Sequence, residues 1–491
     1  MTPRLLPHSQ IRLCQTCSTR VWLVPKAVRQ RASLHTSADQ VFSQKISSNR
    51  KADRVFQSLP LIDLVRTLSV LSVAALPAPI LTSIIRLIRK NSTRIASSRI
   101  LSWPLRKTFY DTFCIGESKP EIAANISALR SRGITGVVLS FAREAKLDGS
   151  TGHATAAQNA AQLRDWVSAN IETITQVGSG DYIAIKLTGA GAAAVKAMED
   201  FHAANPTYRA FQPDTKVDSS SLDALRSALF EICEAAEKHN VKMMVDAESS
   251  HHQAAIDYLT LEAMAAYNQN DRALVSNTYQ MYLKSGLETL ASHLRIASAK
   301  GYVAGVKLVR GAYLKVEPAR AATIHESKEA TDNCFDEAVD MLLRSTKTTG
   351  DQSQNPWTAE VMLASHNTRS VEKALALYGA HRDLPGAQVQ RLVFAQLMGM
   401  ADEITMKLAK HNTSAKAIES TSSMDNLVAK KQLERSDKGV SVYKYTVWGS
   451  FEDCLLYMLR RAEENQDAVA RSRATAGLML KELAYRMAFW K

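Results

Sequence analysis

The chain has 491 residues, of which 46% are hydrophobic and 22% charged, a globular make-up that excludes global disorder. Its six cysteines, at 14, 17, 114, 233, 334 and 454, are too scattered for a secreted disulfide framework. A formal net charge of +13 would suit a nucleic-acid binder until its placement along the chain is considered.

Residues 1–38 hold Arg4, Arg12, Arg20, Lys26, Arg29 and Arg31 and no acid; Asp39 is the first. An arginine-rich, serine-rich, acid-poor start is the mark of a mitochondrial transit peptide, the plainer alternative being a disordered basic tail. Cys14 and Cys17 have zinc-ligand spacing, but no second pair follows, so no metal site is expected. Residues 39–129 are expected to form an apolar, helical arm. No charge occurs from Thr67 to Ile85, a length that could just span a bilayer. Pro77 and Pro79 fall in its middle, and each removes a helix hydrogen bond. Two short helices lying on a membrane surface or on the protein body are therefore preferred to one span.

From about residue 130 to 491, strand-like and helix-like blocks alternate. The strand candidates are Gly136–Phe141, Tyr182–Thr188, Lys242–Glu248 and Leu274–Tyr279, then Val303–Arg310, Glu360–His366, Arg391–Leu397 and Val440–Thr446. All are short and rich in Val, Ile and Leu, as buried parallel strands are. Helical blocks over 220–239, 253–268, 286–300, 326–346 and 451–466 separate them, with a helical excursion over 144–180. This alternation predicts an α/β fold, a (β/α)8 TIM-like barrel with an N-terminal helical extension; an open doubly wound sheet is the alternative. The Ser/Asn/Lys-rich stretch 411–438 reads as a surface insertion.

Barrels carry their chemistry at the C-terminal ends of the strands. Polar residues at those ends are Lys186, Asp246 with Glu248, Gln280, Lys307 with Arg310, His366 with Asn367, Gln396 and Tyr445. Convergence on one mouth makes them site candidates. Lys186 in an apolar strand must be paired or neutral, so it is either a Schiff-base nucleophile or a cation paired with Asp246. In Tyr457-Met-Leu-Arg460-Arg461 the phenol and both guanidiniums share one helical face. They would suit a small carboxylate with apolar atoms beside it, or equally a surface helix pairing with Glu463 and Glu464. Gly189-Ala-Gly191-Ala-Ala-Ala194 imitates a dinucleotide fingerprint but lacks the acid that should follow, so it reads as an alanine-rich helix start. Ser250-His251-His252 reads as a solvated loop, and the absence of GxSxG leaves serine hydrolase chemistry unsupported.

Taken together these residues resemble the mitochondrial proline dehydrogenase family. The matching blocks are MMVDAES (243–249), TYQMYLK (278–284), KLVRGAYL (307–314) with Glu317 and Arg320, ASHN (364–367), QLMGMAD (396–402), VYKYTVWG (442–449) and YMLRRAEEN (457–465). The resemblance implies noncovalent FAD and oxidation of L-proline to Δ1-pyrroline-5-carboxylate by hydride transfer to flavin N5. It further implies ubiquinone as electron acceptor and a place on the matrix face of the inner mitochondrial membrane. Arg460, Arg461 and Lys186 match the clamp on the proline carboxylate, and Asp246 the acid that holds those cations. Ala312, Tyr313, Leu397, Tyr445 and Tyr457 match the walls around the pyrrolidine ring, and Tyr445 there should disfavour hydroxyproline. Gln280 and Lys307 match flavin-contacting positions; Arg310, His366 and Asn367 match positions near the rest of the cofactor. Two positions depart from the family pattern. Ser140 stands where relatives carry Asp, and Trp448 alters the segment before Gly449. A Schiff-base aldolase and an inactive relative of the family are the competing readings.

Overall fold

Short runs of Val, Ile and Leu bury both faces of a strand and therefore pair in parallel beneath helices. This chain does so eight times and closes the ring. The computed structural model describes residues 54–142, 155–205, 217–314, 317, 320–344, 357–381, 388–410, 440–467 and 469–488, without the side chains of 462–474. The expected transit peptide, the 411–438 insertion, and the Glu463 and Glu464 side chains lie outside them.

The N-terminal part contains α1 (Leu61–Ala74), α2 (Ala78–Lys90), the short helices Ser92–Ser97 and Arg99–Leu105, β1 (Cys114–Gly116) and α3 (Lys119–Ser131). Next come β2 (Gly136–Phe141), α4 (Ala156–Gln176), β3 (Tyr182–Ile185), α5 (Ala192–Ala204) and α6 (Asp223–Lys238). They are followed by β4 (Lys242–Val245), α7 (Ser250–Tyr267), β5 (Val275–Gln280), α8 (Gly286–Lys300), β6 (Ala304–Val309) and α9 (Lys328–Leu343). The chain continues through β7 (Ala359–Ala364), α10 (Thr368–His381), β8 (Val389–Leu397), β9 (Ser441–Trp448), α11 (Phe451–Asp467) and α12 (Val469–Ala488). Strands β2 to β9 pair in parallel in sequence order, and β9 joins β8 to β2, completing a (β/α)8 barrel. Pairing of β8 with β9 stops at Tyr445, and β1 takes up the end of β9 at Val447 and Trp448. That ninth strand was not expected in a helical arm.

Four expected strands end early, β6 by one residue at Val309, β7 by two at Ala364, and β3 and β4 by three each. Strand β3 stops at Ile185, where the chain turns into a 3-10 segment, Leu187–Ala190, and β4 stops at Val245. Lys186 and Asp246 thus stand just past the ladder, though the Asp246 amide still donates to the Ile185 carbonyl at 2.9 Å. Ser250-His251-His252, expected as a solvated loop, instead forms the first turn of α7. At Gly191, which starts α5, φ is +105° and a Cβ would meet Gln162 Oε1 at 2.5 Å, so only glycine fits this turn.

The barrel interior is filled, not hollow. Val138, Tyr182, Ala184, Met244, Met362, Val393, Ala395 and Tyr443 pack across it. Toward the N-terminal ends of the strands, Lys242 pairs with Glu360, and Arg391 Nη2 donates to Tyr443 Oη at 2.9 Å. The floor is closed by these contacts, so open space collects at the opposite end.

Helices α1 and α2 meet at 108° around Pro77. Leu64 and Leu71 of α1 join Ile122, Ile126 and Met479, while Val70, Leu81 and Ile85 join Phe451, Leu455 and Met458 of α11. Each such buried aliphatic side chain contributes about 1.5–3 kcal/mol. The apolar stretch therefore packs partly on the protein body, and no single helix among the described residues is long and apolar enough to cross a membrane.

Candidate active site

At the C-terminal ends of the strands lies a cavity of about 870 Å³. Every site residue picked out from the sequence lines it: Lys186, Asp246, Gln280, Lys307, Arg310, Ala312, Tyr313, His366, Asn367, Leu397, Tyr445, Tyr457, Arg460 and Arg461. With Ser140 and Phe141 of β2, residues from all eight barrel strands or the turns after them meet there, together with α11. Arg460 and Arg461 line this space.

Asp246 is the electrostatic hub. Its Oδ2 accepts from Lys186 Nζ at 2.7 Å and from Tyr445 Oη at 3.0 Å, and its Oδ1 accepts from Lys307 Nζ at 2.6 Å. Burial by itself would push the carboxyl up, but the ammonium groups of Lys186 and Lys307 outweigh it and hold Asp246 well below the usual carboxylate range. Burial likewise pulls Lys186 down, and Asp246 together with Tyr445, Tyr313 and Glu248 outweighs that pull, leaving the amine more basic than usual. Lys186 is enclosed by protein yet keeps about a third of its side chain open to the cavity. Of the two readings open in the sequence, the geometry supports the ion pair: a firmly protonated amine is not a Schiff-base nucleophile. The Lys307 contact was not foreseen, because nothing in the sequence couples positions 246 and 307.

Aromatic rings shape the walls. Lys307 Nζ lies 5.2 Å from the Tyr445 ring centroid, and the Arg461 guanidinium lies 5.0 Å from that of Tyr457, both within cation–π range. Burial pushes the Tyr445 phenol up, so it remains a neutral donor to Asp246. Ser140, one of the two departures, lines the cavity from β2 alongside Tyr445. Trp448, the other, is buried, donates Nε1 to Thr173 Oγ1 at 3.0 Å and packs on Phe141 at 5.0 Å, tying β9 to α4. It faces the helix layer, so the last strand keeps its register with β2 up to that residue.

A second polar group flanks this hub. Arg310 is held by Asp332 Oδ1 at 2.5 Å, Ser365 Oγ at 2.8 Å and Ser370 Oγ at 2.8 Å. His366 Nε2 accepts from the Leu397 amide at 3.1 Å, which places its ring proton on Nδ1 if the ring is neutral. Gln280 Nε2 donates to the Glu248 carbonyl at 2.8 Å, and the Glu248 carboxylate accepts from Thr188 N at 3.1 Å. Sequence reasoning missed Trp166 and Asn170, which line the cavity from α4, and the residues anchoring Arg310. Their spacing carries no signal, since they come from helices whose placement only the closed barrel decides.

Six cations, Lys186, Lys307, Arg310, Lys328, Arg460 and Arg461, line the cavity among the described residues, against two carboxylates, Asp246 and Glu248. Its volume lies high in the usual range for ligand sites and exceeds what a small amino acid fills. The donor set and size suit an anionic cofactor of dinucleotide dimensions together with a small carboxylate.

A family model described as Proline dehydrogenase matches residues 122–474. The chain is 28% identical over 404 residues to a protein of Schizosaccharomyces pombe named probable proline dehydrogenase, mitochondrial, covering 74% of this chain and 77% of that one. It is 33% identical over 267 residues to proline dehydrogenase 1, mitochondrial, of Caenorhabditis elegans, covering 52% of this chain but 37% of that one. The solved structure of proline utilization A from Bdellovibrio bacteriovorus, inactivated by N-propargylglycine, superimposes with a TM-score of 0.52 at 16% identity. That match covers 82% of this chain and 37% of the other and supports the barrel fold. The chain thus spans well under half the length of the last two proteins.

Proposed function

The chain belongs to the proline dehydrogenase family, and on that premise we propose that its cavity oxidises L-proline to Δ1-pyrroline-5-carboxylate. The observation that carries the reading is the meeting of Lys186, Arg460 and Arg461 on one cavity beside Lys307 and Gln280. Three cations around one anion fix the proline carboxylate through charge-assisted bonds, and orientation is the main demand of this reaction. Asp246 keeps Lys186 protonated for that task, while Tyr445, Tyr457, Tyr313, Ala312 and Leu397 cover the ring and exclude water.

FAD is the proposed cofactor; when bound it supplies the two-electron acceptor. Gln280 and Lys307 would hold its ring system, and Arg310, His366 and Asn367 its remaining parts. Lys307 provides a fixed positive charge where negative charge would accumulate. Ubiquinone is the proposed final acceptor, and the matrix face of the inner mitochondrial membrane the proposed location. The basic, acid-free start of the chain and the mitochondrial names of the relatives support that location.

The test is turnover. Purified protein supplied with FAD should reduce an artificial acceptor dye when L-proline is added, releasing a cyclic imine trappable with an aromatic aminoaldehyde. Absence of both, or borohydride trapping of a carbonyl compound on Lys186, would overturn the reading.

A further inference from the structure

Part of the N-terminal extension has an unusual surface. Between Leu64 and Tyr110 there is no acidic residue. Arg86, Arg89, Lys90, Arg94 and Arg99 all lie exposed within this stretch. Large apolar side chains stand among them: Leu87 is 64% exposed, Ile100 85% and Trp103 62%, with Ile80 and Leu101 also open. On α2, Ile80 and Leu87 are seven residues apart and share a face; in the helix Arg99–Leu105, Ile100 and Trp103 do the same. Soluble surfaces scatter single apolar residues, whereas apolar and basic side chains interleaved on adjacent short helices have a different use.

The segment is anchored at its far end. Arg106 Nη1 bonds Glu117 Oε1 at 2.7 Å, and Tyr110 Oη bonds the Gly449 carbonyl at 2.8 Å. Helices α2 and Ser92–Ser97 both contact α11, whose Leu456 is itself exposed next to the cavity-lining Tyr457.

We propose that α2, Ser92–Ser97 and Arg99–Leu105 form an interfacial face that seats the protein on an anionic lipid bilayer, with Ile100 and Trp103 entering the headgroup boundary. The occupant follows from charge: exposed cations on a stretch whose own sequence holds no acid match an anionic surface, and indole and aliphatic groups partition at its edge. The bend at Pro77, by contrast, directs Val70, Leu81 and Ile85 inward, so the uncharged stretch 67–85 takes part in this face only through the outward side of α2, with Ile80. The assignment adds a lipid-facing surface to the proposed quinone-linked reaction but does not depend on it, because binding is read without proline or quinone.

The full-length chain should co-sediment with vesicles of equal parts phosphatidylcholine and phosphatidylglycerol and much less with phosphatidylcholine alone. The double change Ile100→Ser, Trp103→Ser should lower partitioning about tenfold or more on the anionic vesicles. Arg94→Gln with Arg99→Gln should do so by a similar factor. Both variants should keep the wild-type urea midpoint, since the changed groups are exposed. Brominated lipids should quench part of the tryptophan emission, a part absent in Trp103→Phe. Unchanged partitioning of the double variant, or equal binding to both vesicle types, would overturn the proposal. So would a concentration-dependent dimer abolished by the same double change, which would assign the face to a second copy of the chain.

Discussion

Asp246→Asn removes the carboxylate to which both Lys186 and Lys307 donate, while keeping its shape. At the 2.6–2.7 Å contacts observed, each pair attracts by roughly 6 kcal/mol at an effective dielectric of about 20. Desolvation offsets much of this, and the Lys186 share is further reduced because about a third of that side chain meets solvent. Removing one partner of a buried ion pair costs about 3–5 kcal/mol, and we expect that loss near neutral pH. The pH dependence carries the sign. In the wild type the depressed Asp246 carboxyl contributes stability that is complete above about pH 4 and is lost as pH falls through its folded value. In the variant, Lys186 no longer has its carboxylate, and burial then favours the neutral amine. The unfolded state therefore binds more protons, and the stability of the variant should rise from about pH 6 to about pH 9. Urea unfolding at both ends of that window measures this. A variant within about 1 kcal/mol of wild type, with no upward slope, would refute the hub.

Arg461→Met should raise the KM for proline by roughly 10- to 100-fold with flavin content unchanged, from the loss of one charge-assisted contact; an unchanged KM would remove Arg461 from the clamp. Tyr445→Ser should shift the ratio of kcat/KM for hydroxyproline over proline upward by about tenfold, read from steady-state kinetics on both substrates. Burial pushes the Asp257 carboxyl up to about 6, against the downward pull of hydrogen bonds from Asn277 and Gln253. A raised carboxyl loses stability as pH rises through its folded value, so the wild type should weaken by about 2–3 kcal/mol between pH 4 and 7 from this group. Asp257→Asn should lack that slope in urea unfolding.

Much of the barrel was legible because buried parallel strands leave continuous apolar runs, and polar residues at their ends stand out against them. Lys186, Asp246 and Tyr445 could be found that way, as could Arg460 and Arg461 from helical spacing. Strand ends were less readable: the apolar pattern runs on through Leu187 and Ala247 because these residues stay buried after the ladder stops. Strand β1 is only three residues long and pairs with a strand far along the chain, so no local period announces it. The Lys307–Asp246 and Trp448–Thr173 contacts join elements far apart in sequence, and distance along the chain hides them. Ser140 stands where an acid is expected, and only the closed barrel shows that it lines the cavity alongside Tyr445.

The most direct test of the account is the visible absorbance of the purified protein, recorded without oxygen before and after adding L-proline. A flavin band that bleaches on addition is the predicted result. A colourless protein reconstituted with FAD that still shows no band, or a yellow one that L-proline leaves unchanged, would contradict it.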